Sequence, residues 1–252
     1  MLNLRNLPQR FASSAVAVVG VGAVVLVFAA VLSMAAGLER TMLSAGSDNT
    51  AVIMRSGATS ELNSGLSNQQ TLIIGNAPGV LKDGDNAIMS AELYVITDVK
   101  KLSNQTDANV PFRGVQAGAF EVRDNIRISD GRMFEPGKNE IVVGRAAQQE
   151  FMGLNVGDTI RFGQTEWSIV GTFDAGGSVS ESELWTDVRV LQNAYRRGNS
   201  FQSVRVRLES PDSIETLRQA LDDDPRIDPD VMSEREYYSS QSQGLVQFIK
   251  LI

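Results

Sequence analysis

The chain has no cysteine and no histidine among its 252 residues. Without them there is no Ser-His-Asp triad, no Cys-His pair, no His-ligated zinc, no CxxC redox motif and no disulfide framework. Positive charge is also short: 23 Lys and Arg stand against 30 Asp and Glu, a net of −7. So acidic a chain lacks the basic surface that non-specific nucleic-acid binding requires, and no nucleic-acid partner is expected. The length suits one large domain or two small ones.

Charge is missing altogether from Phe11 to Leu38, a run rich in Val, Ala, Gly and Leu. A helix of that length reaches ~42 Å at ~1.5 Å per residue, against a hydrocarbon core of ~30 Å. The run reads as a membrane span in a lipid bilayer. Arg5 and Arg10 precede it with no acidic residue between, so the positive-inside rule places the N-terminus in the cytoplasm and residues from about 39 to 240 outside it. A cleaved signal peptide is the competing reading, with Ser33-Met34-Ala35 as small residues at a cleavage site. The apolar run is about twice the ~7–15 residues usual there, which favours a retained helix. The exported part is more acidic than the whole, since most of the basic residues and all of the acidic ones lie beyond Leu38.

At the other end, Ser233-Glu234-Arg235-Glu236 fits a capping box, with Ser233 as N-cap. The chain beyond it grows apolar through Gly244-Leu245-Val246-Gln247-Phe248-Ile249-Lys250-Leu251-Ile252. We read it as a stalk helix entering a second membrane span, with Lys250 able to snorkel toward the headgroups. An amphipathic helix docking on the domain is the alternative.

Between these ends the chain divides into three. Ala51–Met54 reads as a strand, Ser67–Gly75 as a helix closed by an Ala77-Pro78-Gly79 turn, and Ala91–Val99 as an alternating strand, together one β-α-β unit. Near the end, Val204-Arg205-Val206-Arg207-Leu208 alternates apolar and basic, as a half-buried strand does. Ser210-Pro211 supplies an N-cap and N1 proline for a helix with Ile214, Leu217 and Leu221 on one stripe, stopped by Asp222-Asp223-Asp224-Pro225; Val231-Met232 then returns as a strand. The middle, about 110–198, crowds short strands at Phe112–Val115, Ile126–Ile128, Glu140–Val143, Thr159–Phe162 and Trp167–Phe173. Helices are expected at Ala146–Met152 and at Asp187–Arg197, the latter with Asp187 as N-cap and Gly198 past its end. The expected class is α+β, a β-rich insert held within a split pair of β-α-β units.

The residues also match a family. Asn6-Leu7-Pro8-Gln9-Arg10 leads into the first apolar helix. Ile128-Ser129-Asp130-Gly131-Arg132-Met133-Phe134 is followed by Asn139-Glu140-Ile141-Val142-Val143-Gly144, then by Met152-Gly153-Leu154-Asn155-Val156-Gly157-Asp158-Thr159-Ile160 and Trp167-Ser168-Ile169-Val170-Gly171-Thr172-Phe173. In this order and spacing the chain resembles the extracytoplasmic core of MacB/FtsX-type ABC transporter permeases over nearly its whole length. The resemblance implies a porter-like subdomain in two pieces, 47–109 and 199–232, around an inserted sabre-like subdomain, 110–198. Residues 1–46 would be transmembrane helix and stalk, and 233–252 the stalk into the second span.

It further implies a non-catalytic permease subunit of the bacterial inner membrane, acting as a homodimer or paralogous permease dimer. A separate ABC ATPase subunit would supply the energy, since the chain has no fused nucleotide-binding domain, and an extracytoplasmic partner could be actuated. Porter and sabre parts would move against each other, converting ATP hydrolysis into export or mechanical work outside the cytoplasm. A membrane-tethered binding or sensor protein without an ATPase is the alternative.

Several stretches mimic chemical sites. Gly131–Lys138 resembles a phosphate loop, but five residues rather than four separate Gly131 from Gly137, and Asn139 replaces the required Ser or Thr. Gly20-Val21-Gly22 lies inside the membrane span, where Ser13, Ala17 and Gly20 share a face suited to close helix packing. Asp83-Gly84-Asp85-Asn86 hints at calcium, yet the sixth loop position is not glycine and Tyr94 holds the twelfth. Asp222–Asp224 with Asp228 and Asp230 reads as a solvated loop. Glu181 and Glu183 have the chemistry of an acid–base pair but are expected to face solvent on a strand ending at Trp185. No catalytic, cofactor or metal site is predicted.

Overall fold

The computed structural model describes residues 7–241. The N-terminal residues before Leu7, Arg5 among them, and the apolar continuation Gly244–Ile252 lie outside the described residues. Two units are distinct: the N-terminal helix as far as Arg40, and residues 41–241. In the first, α1 (Leu7–Ala45) contains Ala15–Met34, 20 residues long and apolar enough to cross a membrane.

The second unit opens with β1 (Thr50–Arg55), a 3₁₀ turn at Glu61–Asn63, β2 (Leu66–Ser67) and α2 (Asn68–Asn76). Helix α2 starts at a reciprocal cap: the Ser67 N–H donates to Gln70 Oε1 at 2.8 Å and Ser67 Oγ accepts from the Gln70 N–H at 3.3 Å. A small hairpin, β3 (Lys82–Asp83) and β4 (Asn86–Ala87), carries the Asp83–Asn86 turn. Long strands β5 (Met89–Lys100) and β6 (Asp107–Val115) come next, then α3 (Ala119–Val122), β7 (Arg127–Gly131), β8 (Glu140–Gly144), α4 (Arg145–Glu150), β9 (Thr159–Phe162) and β10 (Thr165–Asp174). A second 3₁₀ turn at Val179–Ser182 leads to β11 (Leu184–Asp187) and α5 (Val188–Ala194), which Asp187 caps by accepting from the N–H groups of Arg189 and Val190. The chain returns through β12 (Ser200–Phe201), β13 (Ser203–Arg207), α6 (Ser213–Asp222) and β14 (Pro229–Ser233) into a helix at 234–241, here called the exit helix.

One sheet organises the unit. Its order is β14-β1-β13-β5-β6-β11-β8-β10-β7, with β9 pairing β10. The pairs are antiparallel except β6 with β11 and β8 with β10. In the first four strands, β1-α2-β5 and β13-α6-β14 interleave, each unit's two strands separated by one strand of the other. Strands β5 and β6 pair from Leu93↔Gly114 to Lys100↔Asp107, so β6 straddles the boundary expected at 109/110 and the sheet runs on without a break.

Register assigns the two faces. Ala51, Ile53, Val204, Val206, Ala91, Leu93, Val95, Phe112, Leu184 and Val143 fall on one face and belong to one apolar core with Leu217 and Leu221 of α6 and Trp167 of β10. Strand β6 shows bare backbone at Gly114, where a Cβ would lie 2.8 Å from Val188 Cα, so α5 packs directly against it. The opposite face carries Val52, Arg205, Ser203, Ser90, Glu92, Tyr94, Arg113 and Trp185, and it too is covered.

Two local expectations need correction. The Ser210-Pro211 start is two residues early: Ser210 and Pro211 form a turn whose carbonyls accept from Ser213 and Ile214, and α6 begins at Ser213 after Asp212. Strand β13 is not half-buried, because the face carrying Arg205 lies under the exit helix and the Glu61–Asn63 turn; Arg205 is 0% exposed.

Candidate functional site

Alternation along β13, β5 and β6 points Arg205, Glu92 and Arg113 to the same side of adjacent strands, where they form a hub of buried charge. The Arg113 guanidinium donates to Glu183 through Nε and Nη2 at 2.8 and 2.9 Å, to Glu61 through Nη1 and Nη2 at 2.8 and 3.0 Å, and to Glu92 at 2.9 Å. Arg123, just after α3, grips Glu92 with two bonds of 2.8 Å. Arg205 reaches Glu234 on the exit helix at 3.0 Å, Glu92 at 3.3 Å and Glu61 at 3.5 Å. Three guanidinium groups thus face four carboxylates. Neutral donors complete the set: the Trp185 indole N–H to Glu183 at 2.7 Å, the Ser203 hydroxyl to Glu61 at 2.5 Å, the Tyr237 hydroxyl to Glu61 at 3.4 Å and the Ser47 N–H to Glu234 at 3.3 Å. Each guanidinium also lies over a ring, Arg113 on Tyr94, Arg123 on Trp185 and Arg205 on Tyr237.

Burial alone would raise the Glu61 carboxyl, yet Arg113 and Arg205 beside it hold it well below the usual carboxylate range. Burial acts the same way on Glu92, and Arg123, Arg113 and Arg205 overcome it, bringing that group to about 2. General acid–base work needs a group that exchanges protons near the working pH. Glu61 and Glu92 are driven the other way, so the hub is built to keep its charges fixed.

The hub sits beside a clasp between the two chain segments that enter and leave the unit. Gly46, directly after α1, lies so close to the exit helix that a Cβ there would be 2.5 Å from Arg235 Cα. The Arg235 guanidinium Nε donates to both Asp48 carboxylate oxygens at 2.8 and 3.0 Å. The exit helix opens with the capping box its sequence announces: the Ser233 N–H donates to Glu236 Oε2 at 2.8 Å and Ser233 Oγ accepts from the Glu236 N–H at 3.1 Å. Its Tyr237 and Tyr238 then pack on Val52 and Met54 of β1.

The other sequence candidates fall elsewhere or take different roles. Glu181 and Glu183 do not face solvent, which corrects the expectation for both. Glu181 lies in the second 3₁₀ turn and accepts from the Ala175 and Gly177 N–H groups at 2.8 Å, whereas Glu183 is drawn into the hub by Arg113. Gly131–Lys138 is a loop drawn closed by Arg132, whose Nη1 and Nη2 meet Glu140 at 2.8 and 2.7 Å, with the turn at Pro136-Gly137. That hydrogen bond from Arg132 leads the causes that hold the Glu140 carboxyl near 2. Asp224 pairs with Arg226, and Asp230 accepts from the Gly57 N–H. Among the described residues no group of three or more acidic side chains is arranged to hold a metal ion. Sequence reasoning missed Glu61, Glu92, Arg113, Arg123 and Arg205. The one available signal was charge at alternate positions in otherwise apolar strands.

Comparison with known proteins agrees with this architecture. A sequence profile described as the MacB-like periplasmic core domain matches residues 14–224. Among solved structures, the extracellular domain of the noncanonic ABC-type transporter YknZ from Gram-positive bacteria aligns with a TM-score of 0.53 at 17% identity, over 73% of this chain and 100% of that one. The periplasmic region of MacB from Actinobacillus actinomycetemcomitans aligns with a TM-score of 0.56 at 13% identity, over 83% of this chain and 96% of that one. None of the curated proteins matches this chain. The family and the N-terminal apolar helix together fit a protein of the inner membrane. The chain belongs to the MacB-like periplasmic core domain family of ABC transporter permeases.

Proposed function

We propose that this chain is the permease subunit of an ABC transporter whose extracytoplasmic domain couples cytoplasmic ATP hydrolysis, on a separate ATPase chain, to export or to mechanical work on an extracytoplasmic partner. The N-terminus is cytoplasmic in this reading, residues from about 39 to 240 lie outside, and two permease copies associate. The split 47–109 and 199–232 segments act as the porter-like part and 110–198 as the inserted part, with 233–252 continuing toward a second span.

The observation that carries the reading is the clasp. Segments 46–48 and 234–235 are held against each other by the Gly46 contact, the Ser47–Glu234 bond and the Asp48–Arg235 pair. A displacement delivered to either segment is therefore delivered to both, and through Glu234 to the charged face of the sheet. Transmission of this kind needs stiff connections, since a flexible linker lets its ends move independently. The test is a short Gly-Ser insertion between Leu38 and Thr41, read by ATP hydrolysis, complex assembly and ATP-dependent transport in parallel. Uncoupling is expected: assembly and hydrolysis persist and transport is lost. Full transport with the insertion in place would remove mechanical transmission from the account.

A further inference from the structure

We infer that the charged hub locks the inserted segment to the split β-α-β pair, so that residues 41–241 move as one body and the two parts do not move against each other as the family resemblance implies. The inference rests on the coupling reading only for what drives the motion; the lock is a property of the folded chain.

The partners come from both sides of the expected boundaries. Arg113, Arg123, Glu183 and Trp185 belong to 110–198, whereas Glu61, Glu92, Ser203, Arg205 and Glu234 belong to the flanking segments. Arg113 makes one of its pairs within its own side and two across, to Glu61 and Glu92. Arg123 crosses as well, with both of its bonds to Glu92. Moving the two parts against each other would strip Arg113 and Arg123 of these carboxylates and leave Glu61 and Glu92 short of cations in a site closed to water. Breaking a buried pair leaves uncompensated charge, which is the costly outcome, whereas turning the whole unit disturbs none of it.

Two further features point the same way. The boundary at 109/110 holds no hinge loop: it falls inside β6, which is zipped to β5 over eight residue pairs. On the other face, the apolar core is continuous across the boundary, since Leu93 and Val95 of β5 share it with Phe112, Ile141, Trp167 and Leu184. The aromatic contacts Phe112–Trp167 at 5.0 Å and Phe112–Phe162 at 5.5 Å fix β6 to the far strands. A displacement entering at the clasp thus reaches β9 and β10, in the inserted segment, without being absorbed between the parts.

The experiment places two spin labels on the full cysteine-free chain, diluted into an excess of the unlabelled chain so that only distances within one copy are read, purified with the ATPase that accompanies it and reconstituted in vesicles. The sites are Gln164→Cys in the β9–β10 turn and Asp223→Cys at the end of α6, both exposed and one on each part. One narrow distance, the same without nucleotide and with ATP trapped, is the expected result. A shift between the two conditions, or a second distance, overturns the one-body motion. Arg113→Met in the labelled chain should broaden the distribution while β5–β6 pairing persists; an unchanged narrow distance would show that the hub is not the lock. Should Arg113→Met fail to fold, Arg123→Lys, which gives up the two-bond grip on Glu92, takes its place with the same two outcomes. Failure of the coupling reading would appear separately, as a chain that carries no ATPase with it, and the width of the distance distribution needs no nucleotide to be read.

Discussion

Arg205 Nη1 lies 3.0 Å from Glu234 Oε1, joining the middle of β13 to the first turn of the exit helix where neither side chain reaches solvent. The pair is stable only as a pair. Arg205→Met removes a cation that Glu61, Glu92 and Glu234 share, and is expected to destabilise the unit by ~3–5 kcal/mol. Glu234→Gln should cost less, because the amide can still accept from Arg205 or from the Ser47 N–H. The double variant should cost less than the sum of the two. Unfolding of the full chain in micelles, followed by fluorescence of the buried Trp167 and Trp185, measures all three. Midpoints for Arg205→Met that coincide with the unaltered chain would show that the hub holds no stability.

Gly46 makes a separate prediction from sterics. A Cβ at that position meets the Arg235 backbone, not a side chain that could swing aside. Gly46→Ala must therefore push the exit helix away from the 46–48 segment, at a cost of ~1–3 kcal/mol for overpacking. Gly65→Ala is the matched control, since nothing lies within 4 Å of its Cβ. Thermal melts of the two variants should separate clearly. Equal melting temperatures would mean that the close approach at the clasp is not maintained in the protein.

These effects show what the sequence could and could not convey. Strand β13 was legible from Val204-Arg205-Val206-Arg207-Leu208, and so was the alternation of its two faces, because alternation is local; its register against β1 and β5 was not. The fate of Arg205 was not, because its partners Glu234, Glu92 and Glu61 stand 29, 113 and 144 positions away. Arg207, on the same face two residues on, meets Asp124 near the surface, as alternation usually implies. Nothing within the strand distinguishes the two. The capping box at Ser233 and the cap at Asp187 lie within three residues of their partners and were readable for that reason; the reciprocal cap at Ser67 is as local and was not read. The short strands β2 and β12 and helix α3 escaped, since two to four residues carry no periodicity.

Orientation across the membrane is tested by a single cysteine. Ser178, although it follows two glycines, is a poor probe because it is buried. Ser103, in the exposed β5–β6 turn, is a good one. Ser103→Cys in intact spheroplasts should react with a membrane-impermeant thiol reagent, and Ser178→Cys should react slowly or not at all. Labelling of Ser103→Cys only after lysis would reverse the proposed topology.

The pH dependence of stability should have two limbs with a plateau between. In the acid range, Glu61 and Glu92 stay ionised in the folded chain while their counterparts in the unfolded chain take up protons near ~4.3. The unfolded state then binds more protons, so stability present above that value is lost as pH falls toward about 2, where Glu92 titrates. In the alkaline range the sign reverses. Burial pushes the Tyr238 hydroxyl up to about 12 against the opposing charge of Arg205, and burial likewise raises Tyr94, Tyr237 and Tyr195. Unfolded phenols ionise near ~10, so above that value the folded state holds more protons and stability falls as pH rises. All four tyrosines of the chain are shifted in the same direction. A spectrophotometric titration of the folded chain should therefore show no phenolate absorbance at the ordinary tyrosine pH. The absorbance should appear at higher pH, together with the fluorescence change of Trp185 as the hub comes apart. Phenolate appearing near pH ~10 with Trp185 undisturbed would contradict the burial of Tyr94 and Tyr237 against the hub, and with it the packing that holds the exit helix in place.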